Sequence, residues 1–67
     1  MEPQEIWELI LRADDLVKYA GGADQRRDKA IRWLRRARAE AVAASNAPLA
    51  EQASLRLRDL GADEGDS

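Results

Sequence analysis

Ile6, Leu9, Ile10, Ala13, Leu16, Val17 and Ala20 recur at steps of three and four residues, which places them along one side of a helix. Pro3 suits the first turn, where its missing N–H leaves no bond unmade, and Glu2 and Glu5 sit at the positive end of the helix dipole. On the polar side, Glu8→Arg12 and Asp14→Lys18 put acid before base at the i,i+4 spacing. Gly21-Gly22 follows, and glycine is the residue that most readily takes the left-handed conformation past a helix end. The pattern predicts a first helix over about 3–20.

At 100° per residue, Ala30, Leu34, Ala37, Ala41 and Ala44 share a second apolar face, with Ile31 and Trp33 on its flanks and Asp24 as a natural N-cap. The face is mostly alanine, so a neighbouring helix can approach closely. The second helix is expected over 24–45. Ser45-Asn46-Ala47-Pro48 is a break with a restart in it: Asn46 or Ala47 caps, and Pro48 falls in the next first turn. Leu49, Ala50, Ala53, Leu57 and Leu60 make the third stripe over 48–60, ended by Gly61, and Ala62–Ser67 reads as a disordered acidic tail. No run alternates as a strand would. The expectation is an all-α, three-helix array or bundle, one domain over 1–61 plus the tail, with neighbouring helices antiparallel because the connections are short.

Composition removes most chemistry. The 67 residues hold no cysteine and no histidine, which excludes disulfides, thiolate nucleophiles, imidazole bases and the usual zinc sets. Carboxylates alone are a poor metal site, and no metal or cofactor is expected. Charged residues are 36% of the chain yet the net charge is only −2, which describes a solvated surface of both signs. No stretch approaches the about 18–20 apolar residues of a membrane helix. The acidic start is unlike a signal peptide, so the expected compartment is the cytoplasm. Arginine far outnumbers lysine and alanine abounds, a composition like that of GC-rich bacterial genomes.

The first and third helices match at an offset of forty residues, Leu9 with Leu49, Ala13 with Ala53, Val17 with Leu57, Ala20 with Leu60 and Gly21 with Gly61. Ala30-x3-Leu34-x2-Ala37 and Leu9-x3-Ala13-x2-Leu16 resemble the small-and-large spacing of the two helices of a tetratricopeptide repeat. The resemblance spans about residues 6–60, one and a half repeats, with the third helix as the first helix of a following repeat or as a cap. Arg12 stands where such repeats carry a large apolar residue, and Pro48 comes later than the closing proline. The three-helix domains of the microtubule-interacting-and-trafficking type, themselves similar to these repeats, are an equal comparison. Both resemblances imply peptide or protein binding in a groove between helices, and neither implies catalysis.

Two groups of residues are candidates for a partner. Trp7 and Trp33 lie at the margins of their stripes, where tryptophan serves either as an interface anchor or as a shield over the helix–helix seam. Leu11 and Leu55 fall off the stripes, Leu11 on the same side as Trp7; exposed together, Trp7 and Leu11 would form an apolar patch that needs a partner. The second group is the basic run Arg26, Arg27, Lys29, Arg32, Arg35, Arg36 and Arg38. Lys29, Arg32 and Arg36, with Arg35 beside them, have the shape of a phosphate-tracking stripe. Opposing that reading, the chain is net acidic, no aromatic is expected to interleave with the stripe, and Asp28→Arg32 is a helix-stabilising pair. Glu5, Glu8, Asp14 and Asp15 are expected to face Arg26, Arg27 or Arg38 across the first hairpin. A solvated or internally paired face therefore ranks first, an acidic protein partner second and nucleic acid third.

Asp14-Asp15 and the tail acids Asp63, Glu64 and Asp66 read as solubilising charge, because acid–base work needs a cleft that shifts a carboxyl group. Together these readings predict no enzyme and no small-molecule substrate. They predict a helical protein-interaction module, self-associating as a dimer or bound to another protein, with a nucleic-acid binder as the alternative.

Overall fold

Each helix boundary follows from a local hydrogen-bonding device. The computed structural model describes residues 2–18 and 24–62, and within them the chain forms α1 (Pro3–Lys18), α2 (Asp24–Ala43) and α3 (Ala47–Asp59), with no strand. At the start of α1, the Glu2 N–H donates to Glu5 Oε1 at 3.0 Å, and the Ile6 N–H donates to the Glu2 carbonyl at 3.1 Å. This is the return half of a capping box, made by the acid three residues into the helix. The expected stop at Gly21-Gly22, the placement of Ala20, the Asp24 side chain and residues 63–67 lie outside the described residues.

The α2–α3 corner is tighter than the sequence suggests. α2 ends at Ala43, and the Ser45 N–H donates to the Val42 carbonyl while the Asn46 N–H donates to the Ala41 carbonyl at 2.7 Å. That pair of bonds is a Schellman ending, with Ser45 in the left-handed conformation at φ 57°. Asn46 then caps α3, its Oδ1 accepting from the Leu49 N–H at 3.3 Å, with Pro48 in the first turn. One residue thus closes α2 and opens α3. Because an L side chain resists the left-handed region, Ser45→Gly is expected to stabilise the fold by about 0.5–1 kcal/mol after its extra unfolded-state freedom is subtracted. A urea midpoint equal to or below the parent's would contradict this reading of the corner.

α3 ends in the same way with the residue that suits it. Gly61 at φ +74° follows the cap, its N–H donating to Arg58 and the Ala62 N–H to Leu57, both at 2.9 Å. Ala62 packs against the core as the residue after such an ending often does. It therefore belongs to the folded unit rather than to the tail in which the sequence reading placed it.

The core is Ile6, Ile10 and Ala13 of α1, Ala30, Leu34, Ala37 and Ala41 of α2, and Ala53 and Leu57 of α3, all buried. No buried side-chain polar atom among the described residues lacks a partner. The alanine face of α2 is the middle of the molecule, packed on one flank by α1 and on the other by α3. Glu5 and Glu8 share a surface pocket with Arg36, and Asp15 and Leu16 share one with Arg26 and Lys29, so α1 and α2 run antiparallel. Arg27 reaches the end of α3 at Leu60, so α2 and α3 are antiparallel too. This is the expected small all-α bundle.

Two expected core residues point elsewhere. Ala44 is exposed because α2 has already turned into its cap, and Val17 is 40% exposed. The forty-residue offset therefore holds for burial at Ala13 and Ala53 and at Leu9 and Leu49, but parts at Val17, whose counterpart Leu57 is fully buried. The Cα atoms span 33 × 26 × 14 Å. A slab 14 Å deep is two helix layers thick, since packed helix axes lie about 8–10 Å apart. No helix of the described residues is long and apolar enough to cross a membrane.

Candidate interaction surfaces

Helical spacing sends Trp7, Leu11, Asp14 and Lys18 along the side of α1 that looks towards α3, and Gln52, Leu55, Arg56 and Asp59 along the side of α3 that looks back. Arg56 joins the two rows. Its Nε donates to both oxygens of Asp14, at 2.8 and 3.0 Å. Its Nη1 donates to the Gln52 carbonyl and to Gln52 Oε1 on its own helix, at 3.1 and 2.9 Å. The same guanidinium lies 5.6 Å from the centroid of the Trp7 ring, a cation–π contact. Asp14 was expected to face the basic residues of α2; it pairs with α3 instead, because it sits on the α3-facing flank of the α1 stripe.

Trp7 therefore serves the α1–α3 seam on one side and solvent on the other. It is 37% exposed and Leu11, one turn further on, is 42% exposed, so the two stand open together. Leu55 is exposed on the same flank of α3 as Gln52 and Arg56. Further along, Asp14, Val17, Lys18, Leu34, Arg56, Asp59 and Leu60 line an open pocket of about 300 Å³, with Leu34 of α2 as its floor. Among the described residues, four of the five exposed large apolar side chains, Trp7, Leu11, Val17 and Leu55, belong to α1 and α3, and the fifth is Val42.

The α1–α2 side has a different chemistry. Lys29, Arg32 and Arg36 are exposed at i, i+3 and i+7 on α2, and with Trp33 they line a shallow pocket of about 300 Å³. From helical spacing alone no aromatic is expected among these cations. Trp33 is there because it lies four residues after Lys29 and three before Arg36, and its ring is large enough to spread from the core flank over the outer face. It is half-buried, and the Arg12 guanidinium of α1 lies 5.9 Å from its centroid. Arg12, unexpected at an apolar repeat position, covers a tryptophan from across the hairpin. Arg56 does the same for Trp7 across the other seam.

The remaining cations of α2 are engaged in the fold. Arg27 Nη2 donates to the Leu60 carbonyl and Arg35 Nη2 to the Ala62 carbonyl, the latter at 3.3 Å. Both guanidinium groups thus meet the negative end of the α3 dipole. Arg35, a candidate partner residue on sequence grounds, holds the end of α3. Arg26 and Arg38 also have interactions within the molecule. Among the described residues no hydrogen bond or ion pair involves Lys29, Arg32 or Arg36.

Arg27, expected from the sequence to meet the acids of α1, reaches the end of α3 instead, and Arg56 was not singled out from the sequence. Arg56 carried one legible signal, its i+4 position after Gln52; the long-range partners of both residues left none. No cluster of three or more acidic side chains among the described residues is placed to hold a metal ion. Compared with models of known families, with curated proteins and with solved structures, the chain matches none.

Proposed function

We propose that this chain is a small helical protein-interaction module, an adaptor or regulatory subunit of the cytoplasm and not an enzyme, which pairs with a second copy of itself through the α1–α3 face. The joint exposure of Trp7 and Leu11 carries the reading. Large apolar side chains standing open side by side lose free energy to water, and a partner surface recovers it. The Arg56 guanidinium beside the Trp7 ring favours one orientation of it, which lowers the ordering cost of binding. Size supports the same conclusion, because a core of nine described residues, five of them alanine, leaves a domain this short only modestly stable alone.

The tetratricopeptide-like spacing fits this reading. α1 and α2 would be the two helices of one hairpin and α3 the first helix of the next, which makes the α1–α3 face the side on which such repeats take peptides.

Trp7→Ala tests the proposal. Sedimentation is expected to show a concentration-dependent dimer of the parent chain whose Kd rises by at least about tenfold in the variant, the scale of an aromatic anchor. Leu11→Ser is expected to weaken association with little change in Tm, since Leu11 lies outside the core. A parent chain monomeric at millimolar concentration removes self-association. A Trp7→Ala variant that loses more stability than association makes Trp7 a core residue.

A further inference from the structure

We propose that Lys29, Arg32, Trp33 and Arg36 form a second docking surface, which receives an acidic helical segment of a partner protein. The surface lies on the α1–α2 side and does not depend on the α1–α3 reading.

The first ground is the distribution of charge partners. Arg27 and Arg35 are bonded to the end of α3, Arg26 and Arg38 have interactions within the molecule, and Arg12 lies on Trp33. Lys29, Arg32 and Arg36 make no hydrogen bond or ion pair among the described residues. The uncommitted cations of α2 are thus gathered on one face, around the one tryptophan of that helix. Holding like charges close together is unfavourable unless an opposite charge arrives.

The second ground is geometric. From Lys29 to Arg36 the helix rises about 10.5 Å. A partner helix bearing carboxylates at i, i+3 or i+4, and i+7 has the same rise, so acid can meet base along the whole strip. An aliphatic side chain between those carboxylates would seat over Trp33, in the shallow pocket that the aliphatic stems of the three cations complete. An apolar anchor ringed by opposite charges combines burial with register, which neither supplies alone.

The third ground separates a short acidic segment from a nucleic acid. The positive strip is brief and bounded. Asp28 precedes Arg32 by one turn, Glu40 follows Arg36 by one turn, and Glu5, Glu8 and Asp15 stand across the α1–α2 seam. A phosphate backbone, with a charge about every 1.7 Å of duplex axis, gains by running along a long basic track. Here it would meet carboxylates at either end, on a chain of net charge −2.

The test is an NMR titration of the full chain labelled with ¹⁵N. The probes are a short synthetic helical peptide with three glutamates at this spacing about one leucine, the same peptide with glutamines, and a single-stranded oligonucleotide of equal charge. With the glutamate peptide, the Trp33 indole N–H and the amides of residues 29–36 are expected to shift. Lys29→Gln, Arg32→Gln and Arg36→Gln together are expected to weaken binding at least about tenfold with a Tm no lower than the parent's, while Leu11→Ser leaves binding intact. Four results overturn the proposal: no shift at millimolar peptide, equal binding of the glutamine peptide, a Tm that collapses in the triple variant, or tighter binding of the oligonucleotide with a steep salt dependence. Shifts of the same resonances on raising the protein concentration alone would assign the surface to a second copy and overturn it as well.

Discussion

Leu34→Ala is expected to leave most of the chain unfolded at room temperature. Leu34 is 1% exposed at the middle of α2, where it meets the core of both flanking helices and forms the floor of the α1–α3 pocket. Deleting its isobutyl group removes transfer free energy and leaves a void, together costing about 2–5 kcal/mol. A domain of this length holds only about 3–5 kcal/mol in a single core, so the loss is of the same size as the whole. Among the described residues the other fully buried large side chains are Ile6, Ile10 and Leu57. Circular dichroism in the absence of denaturant should show most of the helical signal gone. Retention of a cooperative transition within about 1 kcal/mol of the parent's would mean that Leu34 is not the keystone described.

The second large effect comes from adding volume. Ala37 is fully buried in the alanine face of α2, and Ala37→Leu is expected to cost about 1–3 kcal/mol because the added atoms force a neighbouring helix outwards. Ala39→Leu is the control, since Ala39 is exposed on the same helix and leucine is nearly as good a helix former. Urea midpoints of the two variants should therefore differ widely. Equal midpoints would show a seam loose enough to accept a leucine, and the close approach inferred from its alanines would be wrong.

Periodicity made the helices and most of the core legible. Ile6, Ile10, Ala13, Ala30, Leu34, Ala37, Ala41, Ala53 and Leu57 all lie on the stripes drawn from spacing alone and all are buried. Where spacing misled, it did so near helix ends: it carries on past the point where Ala44 leaves the helix, and it buries Val17, which stands exposed in the last turn of α1. The Ser45 conformation was hidden for a related reason, since glycine is what announces a left-handed ending and serine does not. For the surfaces, a helical wheel assigns each residue an angle but no reach. Trp33 was rightly placed on a flank, yet the size of its ring brings it among Lys29, Arg32 and Arg36. The work of Arg27, Arg35 and Arg56 depends on which helix end or acid lies opposite in space, and nothing local records that.

The α2–α3 corner also governs how the molecule can rearrange. Because the N–H groups of Ala44, Ser45 and Asn46 all bond back into α2 while the Asn46 side chain caps α3, no residue at the elbow is left free as a pivot. Arg27 near the start of α2 and Arg35 at its middle tie the far end of α3 back onto α2, which stiffens the two helices into a bracket. Any widening of the α1–α3 pocket over Leu34 must therefore come from α1 moving against that bracket. What resists that movement is the burial of Ile6, Ile10 and Ala13 against α2, whereas the Arg56–Asp14 ion pair across the α1–α3 seam is open enough to water to add little.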